Sequence, residues 1–257
     1  MRSVVILTFA ALWTLILLVP VSVSVLLTFS GDAAGWMARR LWAPAILAVA
    51  GVKLEAQPNP SIDLGKPYVF VGNHQGYFGV PAAFATLLHP VRFVAKRSLG
   101  FVPILGWYLQ LTGHVLLDRT NRERTVASLR KAGAKIARGT SILIYAEGTR
   151  SDDETGAIRS FKKGPFMLAL AAQVPIVPVV VDGSHRIKRK GHFSIRPGIV
   201  RVKVGDPIPT VGLTQADRER LMRTVHEKII DLHLEIGGLG GDRETVLAGG
   251  DERRAAS

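Results

Sequence analysis

Residues 68–88 read YVFVGNHQGYFGVPAAFATLL: an apolar run, a glycine-rich turn and then a helical pattern. The apolar run, Tyr68–Val71, has the β-branched and aromatic side chains of a buried strand, and Val80–Leu88 favours a helix. A buried strand that leads directly into a helix is the unit from which α/β folds are built. We therefore expect a domain in which strands and helices alternate.

The rest of the chain continues this alternation. In Val200–Val204 valine alternates with basic residues, as on a half-exposed edge strand, and Thr214-x-x-Asp217 is a capping box that opens a last helix with one apolar face. The fold class that follows is α/β, a mixed and mostly parallel sheet flanked by helices. The other expected elements are strands at Arg92–Ala95, Val115–Leu117, Ser141–Ala146 and Ile176–Val181, and helices at Arg124–Arg138 and from Pro165 onward.

The amino-terminal segment is the most apolar part of the chain. Residues 3–31 contain no charged side chain, and Val4–Phe29 is long enough to cross a hydrocarbon core as a helix. The apolar stretch of a secretory signal is much shorter than this one, which argues against a signal peptide that is cleaved off. Pro20 makes both a span and a re-entrant turn compatible with the pattern. Leu41–Val52 is too short to span, and we expect it to lie in the membrane interface.

Changes in composition divide the chain into three parts. Gln57–Lys66 is rich in Pro, Asn, Ser, Asp and Gly, which marks a link, and the glycines and mixed charges past Gly237 predict a disordered tail. We therefore predict an N-terminal hydrophobic, helical membrane-anchoring segment at residues 1–56, a globular domain at residues 57–236 and a tail at residues 237–257.

The charge balance points to a membrane surface. The chain has 33 Lys and Arg against 20 Asp and Glu, a net charge of +13, together with a positive mean hydropathy. This combination suits anionic membrane phospholipids. No nucleic-acid motif is present, so we expect no nucleic-acid partner. The absence of cysteine excludes disulfides and thiolate chemistry, and no histidine spacing is that of a metal site.

His74 lies in the glycine-rich turn after the first strand. Glycines let the backbone approach a ligand closely, and histidine can accept a proton near neutral pH. Both properties suit a general base. The alternative for an isolated histidine is a hydrogen bond within the loop.

A second turn, Glu147–Ser151, follows the apolar strand at residues 142–146 and reads EGTRS. Its guanidinium can hold a phosphate through two hydrogen bonds, and its hydroxyl can donate a third. Lys162 lies just before a helix amino terminus, which adds positive charge and backbone N–H groups. The alternative is a surface ion pair between Glu147 and Arg150.

Four stretches together resemble the ordered sequence blocks of the glycerolipid acyltransferase superfamily, and in particular its 1-acylglycerol-3-phosphate acyltransferase family. The order and spacing agree from about Tyr68 to Asp182, and the hydrophobic amino terminus is also similar. The four stretches are Asn73-His74-Gln75, Gly113–Arg119, Glu147–Arg150 and Val174–Val179.

The resemblance implies an acyltransferase that needs no cofactor and forms no covalent intermediate. His74 would deprotonate the free hydroxyl of a lysophospholipid, which would attack the thioester of acyl-CoA or acyl-carrier protein to give phosphatidic acid. The expected location is the cell inner membrane, with the domain facing the cytoplasm. The substrate-binding residues predicted are Asn73, Lys96, Arg119, Glu147, Gly148, Thr149, Arg150 and Lys162.

At residue 79 the sequence departs from the family. The first block normally reads His-x4-Asp, in which the aspartate orients the imidazole, but this chain has Gly79 and no acidic residue from Lys66 to Pro90. Glu147, Asp118 or a water molecule are alternative partners for His74. Two further hypotheses follow: a catalytically weak or silent paralogue that binds lysolipid or acyl chains, and an acyltransferase for another lysolipid such as a lyso-ornithine lipid.

A basic run at residues 186–190 is the last feature of interest. We consider three electrostatic roles for it: holding the phosphates of coenzyme A, docking an acidic carrier protein, or contacting anionic headgroups. The alternative is a solvated loop. Its charged residues are Arg186, Lys188, Arg189 and Lys190.

Overall fold

A single twisted sheet forms the centre of the molecule in a computed structural model that describes residues 1–118, 121–149, 155–189 and 191–244. Within these ranges seven strands follow the order β1-β7-β6-β2-β5-β3-β4, and neighbours are parallel except for β6 and β7. The mixed, mostly parallel sheet that we predicted is confirmed. The strands are β1 (Val52–Gln57), β2 (Val69–Gly72), β3 (Val91–Lys96), β4 (Val115–Leu117), β5 (Ser141–Tyr145), β6 (Ile176–Asp182) and β7 (Gly198–Val204).

Helices cover both faces of the sheet, and side chains alternate between two apolar cores. Phe70 of β2 faces the core formed with α3 and α4, whereas Val69 and Val71 face the core formed with α6, α7 and α9. This alternation is the two-residue period of a strand. The helices are α1 (Arg2–Thr28), α2 (Asp32–Met37), α3 (Ala43–Val49), α4 (Gly79–Thr86), α5 (Leu105–Leu111), α6 (Arg122–Ile136), α7 (Gly164–Ala172), α8 (Ser184–Ile187) and α9 (Arg218–Glu235).

The structure moves the start of the globular domain. Strand β1 lies within the segment that we assigned to the membrane, and it pairs with β7 along its whole length. The domain therefore begins at residue 52, and β7 is an interior strand instead of the edge strand that we predicted. The alternation of valine with Arg201 and Lys203 marks one solvent-facing side of β7, where Arg201 Nε lies 2.9 Å from Glu55 Oε2.

Helix α3 packs one of its faces into the core of the domain. Ile46 and Leu47 are buried in the same core as Phe70, because α3 packs against α4 and β1. One face of the stretch Leu41–Val52 thus serves the protein interior, while Leu41 and Val49 are exposed. A short apolar segment satisfies either environment, so composition alone did not separate them.

The predicted capping box is present, with Asp217 Oδ2 accepting from the Thr214 amide, and it opens a 3-10 turn at Gln215–Asp217 directly before α9. Beyond α9 the chain continues to contact the domain. The Gly240 amide donates to His233 Nδ1, and Gly240 O accepts from the Ile158 amide. Ordered contacts therefore extend past residue 237, where we expected a tail, and residues 245–257 lie outside the described ranges.

Helix α1 lies along the surface of the domain. Arg2 donates to Ala50 O at 3.0 Å, and Trp13 Nε1 donates to Leu41 O at 3.3 Å. Ile6, Leu17 and Val21 form a buried stripe, while most of its other large apolar side chains are exposed. Among the described helices α1 is the one that is long and apolar enough to cross a membrane.

Candidate active site

The sheet order brings the sequence motifs to one edge. Strands β2, β5, β3 and β4 are parallel neighbours, so their carboxyl ends meet at the same edge. His74 follows β2, Glu147 follows β5, and Lys96 ends β3. Because β2 and β5 are adjacent, the histidine turn and the Glu147 turn are neighbours although 73 residues separate them along the chain (147 − 74).

Asn73 holds the histidine turn to strand β6. Its side chain is fully buried, its Nδ2 donates to Val181 O at 2.9 Å, and its Oδ1 accepts from the Val181 amide at 2.8 Å. Both polar atoms of the amide are therefore used within the protein. We predicted that Asn73 contacts the substrate; in the structure it fixes the position of the residue beside it.

The His74 imidazole is held face to face with an aromatic ring. It stacks on Tyr145 with a centroid distance of 4.2 Å and an interplanar angle of 11°. The side chain is half-buried, and its Nδ1 atom lies in the interior. Nδ1 is therefore not the nitrogen that a substrate meets, and Nε2 is the one suited to accept a proton.

A buried network fixes the turn on the side of Gln75. Gln75 Nε2 donates to Gly156 O at 2.6 Å and lies 3.1 Å from His233 Nε2, and Gln75 Oε1 lies 3.1 Å from His185 Nδ1. His233 Nε2 in turn is 3.3 Å from Asp182 Oδ1. Burial acts to raise the pKa of Asp182, but the hydrogen bond and charge of His233 contribute to a net lowering. The turn is thereby coupled to helix α9.

The Glu147 turn has a backbone that requires glycine. Gly148 has φ +75°, in the left-handed region that side chains disfavour. Glu147 is buried, with 5% of its surface exposed, and its Oε1 lies 3.4 Å from the Arg159 amide. The ion pair that we considered between Glu147 and Arg150 involves a residue outside the described ranges. Thr149 is exposed at the same turn, and Arg150 lies outside the described residues.

The predicted lysines are on the surface at this edge. Lys96 is exposed at the end of β3, and Lys162 is exposed close to the end of β5, where its amide donates to Ala146 O at 2.8 Å. Both ammonium groups can therefore meet an anion from solvent. Arg119, which follows β4, lies outside the described residues.

Asp118 does not orient His74. Its Oδ2 lies 2.8 Å from Arg97 Nη1 and 3.5 Å from Arg124 Nη1, so arginines occupy this carboxylate. Strand β4 is also three strand spacings from β2, about 14 Å. We infer from the strand order that this alternative partner lies too far from His74.

Tyr145 is a site residue that the sequence did not reveal. We treated it as one residue of an apolar strand. Its ring reaches His74 because Tyr145 pairs with Gly72, which has no side chain to block it. The contact depends on the register between β2 and β5, two strands that are distant in sequence, and no local sequence pattern reveals it.

Comparison with known proteins identifies the class. A family model described as Acyltransferase matches residues 52–182, half of the chain, and its match begins where β1 begins. The chain belongs to this acyltransferase family, as the sequence blocks led us to expect.

Three individual relatives show which acyltransferases this chain is similar to. The 1-acyl-sn-glycerol-3-phosphate acyltransferase of Saccharomyces cerevisiae is 29% identical over 227 residues, which are 87% of this chain and 75% of that protein. The beta form of this enzyme in Homo sapiens is 33% identical over 72% of this chain and 66% of its own. A 1-acyl-sn-glycerol-3-phosphate acyltransferase from Chlamydomonas reinhardtii is 36% identical over 66% of this chain and 50% of its own length. The chain thus spans from half to three quarters of the length of these relatives.

A solved structure confirms the fold. The 1-acyl-sn-glycerophosphate (LPA) acyltransferase PlsC from Thermotoga maritima superposes with a TM-score of 0.78, covering 91% of this chain and 94% of that one at 23% identity. The N-terminal helices are thus part of a shared architecture, because the match extends well beyond residues 52–182.

Proposed function

We propose that this protein transfers a fatty acyl group from acyl-CoA or acyl-carrier protein to the free hydroxyl of 1-acyl-sn-glycerol 3-phosphate, giving phosphatidic acid. The observation that carries the proposal is the position of His74 in a rigid turn beside the Glu147 turn. Relatives that are 29% and 33% identical to this chain are named for this reaction. Phospholipid biosynthesis is the corresponding role.

The reaction needs a general base that removes a proton from the acceptor and a general acid that donates a proton to the leaving group. His74 accepts the proton of the acceptor hydroxyl as its oxygen attacks the thioester carbonyl carbon. The tetrahedral intermediate then collapses, the carbon–sulfur bond breaks, and the imidazolium returns the proton to the leaving thiolate. No atom of the protein becomes covalently bonded to the acyl group.

The acceptor phosphate is best placed against the Glu147 turn. Thr149 and Lys162 are exposed there, and α7 begins at Gly164, so the first amides of this helix add a positive partial charge. Lys96 supplies a second ammonium group at the same edge. Arg119 and Arg150 belong to this phosphate site by their positions in the sequence blocks.

We place the protein at the cytoplasmic face of the inner membrane, with α1 lying in the interface. A 27-residue helix is about 40 Å long, and α1 contacts the domain from Arg2 to Val21. An upright span would draw the attached domain into the hydrocarbon. With α1 lying flat, its exposed apolar face enters the acyl chains and the domain stays in water.

The test uses purified protein in vesicles with 1-acyl-sn-glycerol 3-phosphate and a panel of acyl-CoA and acyl-carrier-protein donors. We expect phosphatidic acid, identified by mass spectrometry, from the natural chain and not from His74→Ala. Equal product from both would refute the proposal. Faster turnover of a lysolipid without phosphate, such as a lyso-ornithine lipid, would reassign the acceptor.

A further inference from the structure

The segment that joins α8 to β7, residues 188–197, is a strongly basic loop. Between Gly183 and Gly205 the sequence contains no Asp or Glu, and four of the Lys and Arg residues there lie in the loop itself. A segment with one sign of charge attracts partners of the opposite sign. The four residues are Lys188, Arg189, Lys190 and Arg196, and the structure describes all of them except Lys190.

An exposed aromatic side chain lies in the middle of this basic loop. Phe193 is 60% exposed, and Arg189 and Arg196, on either side of it in the sequence, are exposed as well. A single exposed phenylalanine is ordinary on a protein surface. A phenylalanine between cationic side chains also suits a membrane interface, where the ring enters the acyl chains and the cations meet the headgroups. The position of the loop in the fold decides between these two interpretations.

The basic loop is bonded to the amino end of helix α1. The Ile195 amide, two residues after Phe193, donates to Ser3 Oγ at 2.9 Å. The next two residues of α1, Val4 and Val5, are exposed. Exposed apolar side chains of α1 and the basic loop therefore lie side by side.

The other end of the basic loop is held against the turn that carries the proposed base. Lys188 Nζ lies 4.4 Å from the centroid of the Tyr77 ring and donates to His192 O at 2.8 Å. A cation–π contact and a hydrogen bond thus fix this end of the loop. Tyr77 is three residues from His74 along the chain. The loop spans from the histidine turn to α1, so a membrane contact in this place would bring the histidine turn to the lipid surface.

We propose that the basic loop is a second membrane contact, in which Arg189, Lys190 and Arg196 bind the headgroups of anionic phospholipids and Phe193 enters the acyl chains beside α1. This inference rests on the proposed placement of α1 in the interface. Cations alone would equally fit the phosphates of coenzyme A or an acidic carrier protein. The membrane is favoured because those two partners give no role to the exposed ring and no reason for the bond between the loop and α1.

The test places one fluorophore on the loop, which the absence of cysteine from the chain allows. The full chain with Phe193→Cys is labelled at the new thiol and reconstituted into phosphatidylcholine vesicles with about one third phosphatidylglycerol, the anionic component. Some of the lipids carry brominated acyl chains, which quench a fluorophore that they contact. We expect loss of most of the emission.

Two matched sites calibrate this measurement. Ile16→Cys labels α1 at a residue that is 59% exposed, and its emission should also be lost. Val211→Cys labels a residue that is 75% exposed next to Thr210, whose hydroxyl donates to Val174 O before the amino end of β6. This site lies at the opposite edge of the sheet from the histidine turn, so its emission should remain.

A charge variant tests which lipid the loop binds. Arg189→Gln with Arg196→Gln should lower the ratio of inserted to withdrawn loop by roughly 10- to 30-fold, because each cation near an anionic surface contributes about fivefold. Vesicles of phosphatidylcholine alone should have the same effect. Arg130→Gln with Lys131→Gln removes equal charge from α6, which packs on the other face of the sheet from α1, and should leave the quenching unchanged.

Quenching at Ile16 without quenching at Phe193 would overturn the inference and leave the placement of α1 standing, and no quenching at either would overturn both. Quenching that persists in neutral vesicles and in the charge variant would overturn the role of the cations. Emission that responds to coenzyme A or acyl-carrier protein and not to vesicles would assign the loop to the donor instead. Since no measurement here needs turnover, an inactive chain with a quenched loop would refute the proposed reaction and not this contact.

Discussion

The turn that carries His74 and the turn that carries His114 place the same side chain in two different environments. Both histidines contact aromatic rings: His74 stacks on Tyr145, and His114 lies 6.0 Å from the ring centroid of Phe93 at 27°. They differ in exposure. His74 is half-buried, whereas His114 is 8% exposed and its Nδ1 accepts from the Phe93 amide at 2.8 Å.

This difference separates a base from a structural residue. Burial, together with the charges of Arg92 and Lys135, lowers the pKa of His114 to about 3, so this ring stays neutral. A proton cannot be taken up where no charge is tolerated. Sequence motifs include both histidines, and only the surroundings distinguish their roles.

The largest effect should come from removing the base. His74→Ala should lower kcat by about 10²- to 10⁴-fold, the usual contribution of general base catalysis, with a small change in melting temperature. His114→Gln, which keeps an acceptor near the Phe93 amide, should leave kcat within a few-fold. If His114→Gln matched the loss in His74→Ala, the assignment of roles would be reversed.

The second effect concerns stability and pH. Because the pKa of His114 is lowered by folding, protons bind the unfolded chain first, and stability falls as the pH drops below about 6.5. Between pH 6.5 and pH 4, His114 should lower the free energy of unfolding by about 3 kcal/mol at most. Urea unfolding across this range should show the slope in the natural chain and a reduced slope in His114→Gln. Equal slopes would contradict a neutral His114.

The third effect tests the stacked ring. Tyr145→Leu should lower kcat by roughly 10-fold, because the plane of His74 is no longer fixed. Tyr145→Phe is the matched control: the Tyr145 hydroxyl is buried and has no partner among the described residues, so its loss should not reduce activity or stability. A loss of activity in Tyr145→Phe would indicate that the hydroxyl itself takes part.

The smallest effect should follow from Asp118→Asn. This change weakens the pairs with Arg97 and Arg124 without reaching His74, so kcat should change by less than about threefold. Steady-state rates at saturating substrate measure it. A loss as large as that in His74→Ala would make Asp118 the partner of the base after all.

Local patterns predicted most of the fold. Strands β2, β4 and β5 and the capping box before α9 were legible because each depends on a few neighbouring residues. Strand β1 was missed, since Val52–Gln57 follows an apolar helix directly and mixes Lys53 and Glu55 with apolar residues. Its identity as a strand depends on pairing with β7, more than 140 residues away (198 − 52).

The sequence by itself determined the chemistry available to this protein: a histidine in a glycine-rich turn, an acidic and basic second turn, a long apolar helix, and no aspartate at residue 79. Only the tertiary structure decided which groups meet. Asn73 binds the histidine turn to β6, and Tyr145 and Ser184 lie next to this turn. Asp118 pairs with Arg97 instead. The physical reason is that strand order and register set these distances, and both arise from contacts between segments far apart in the chain.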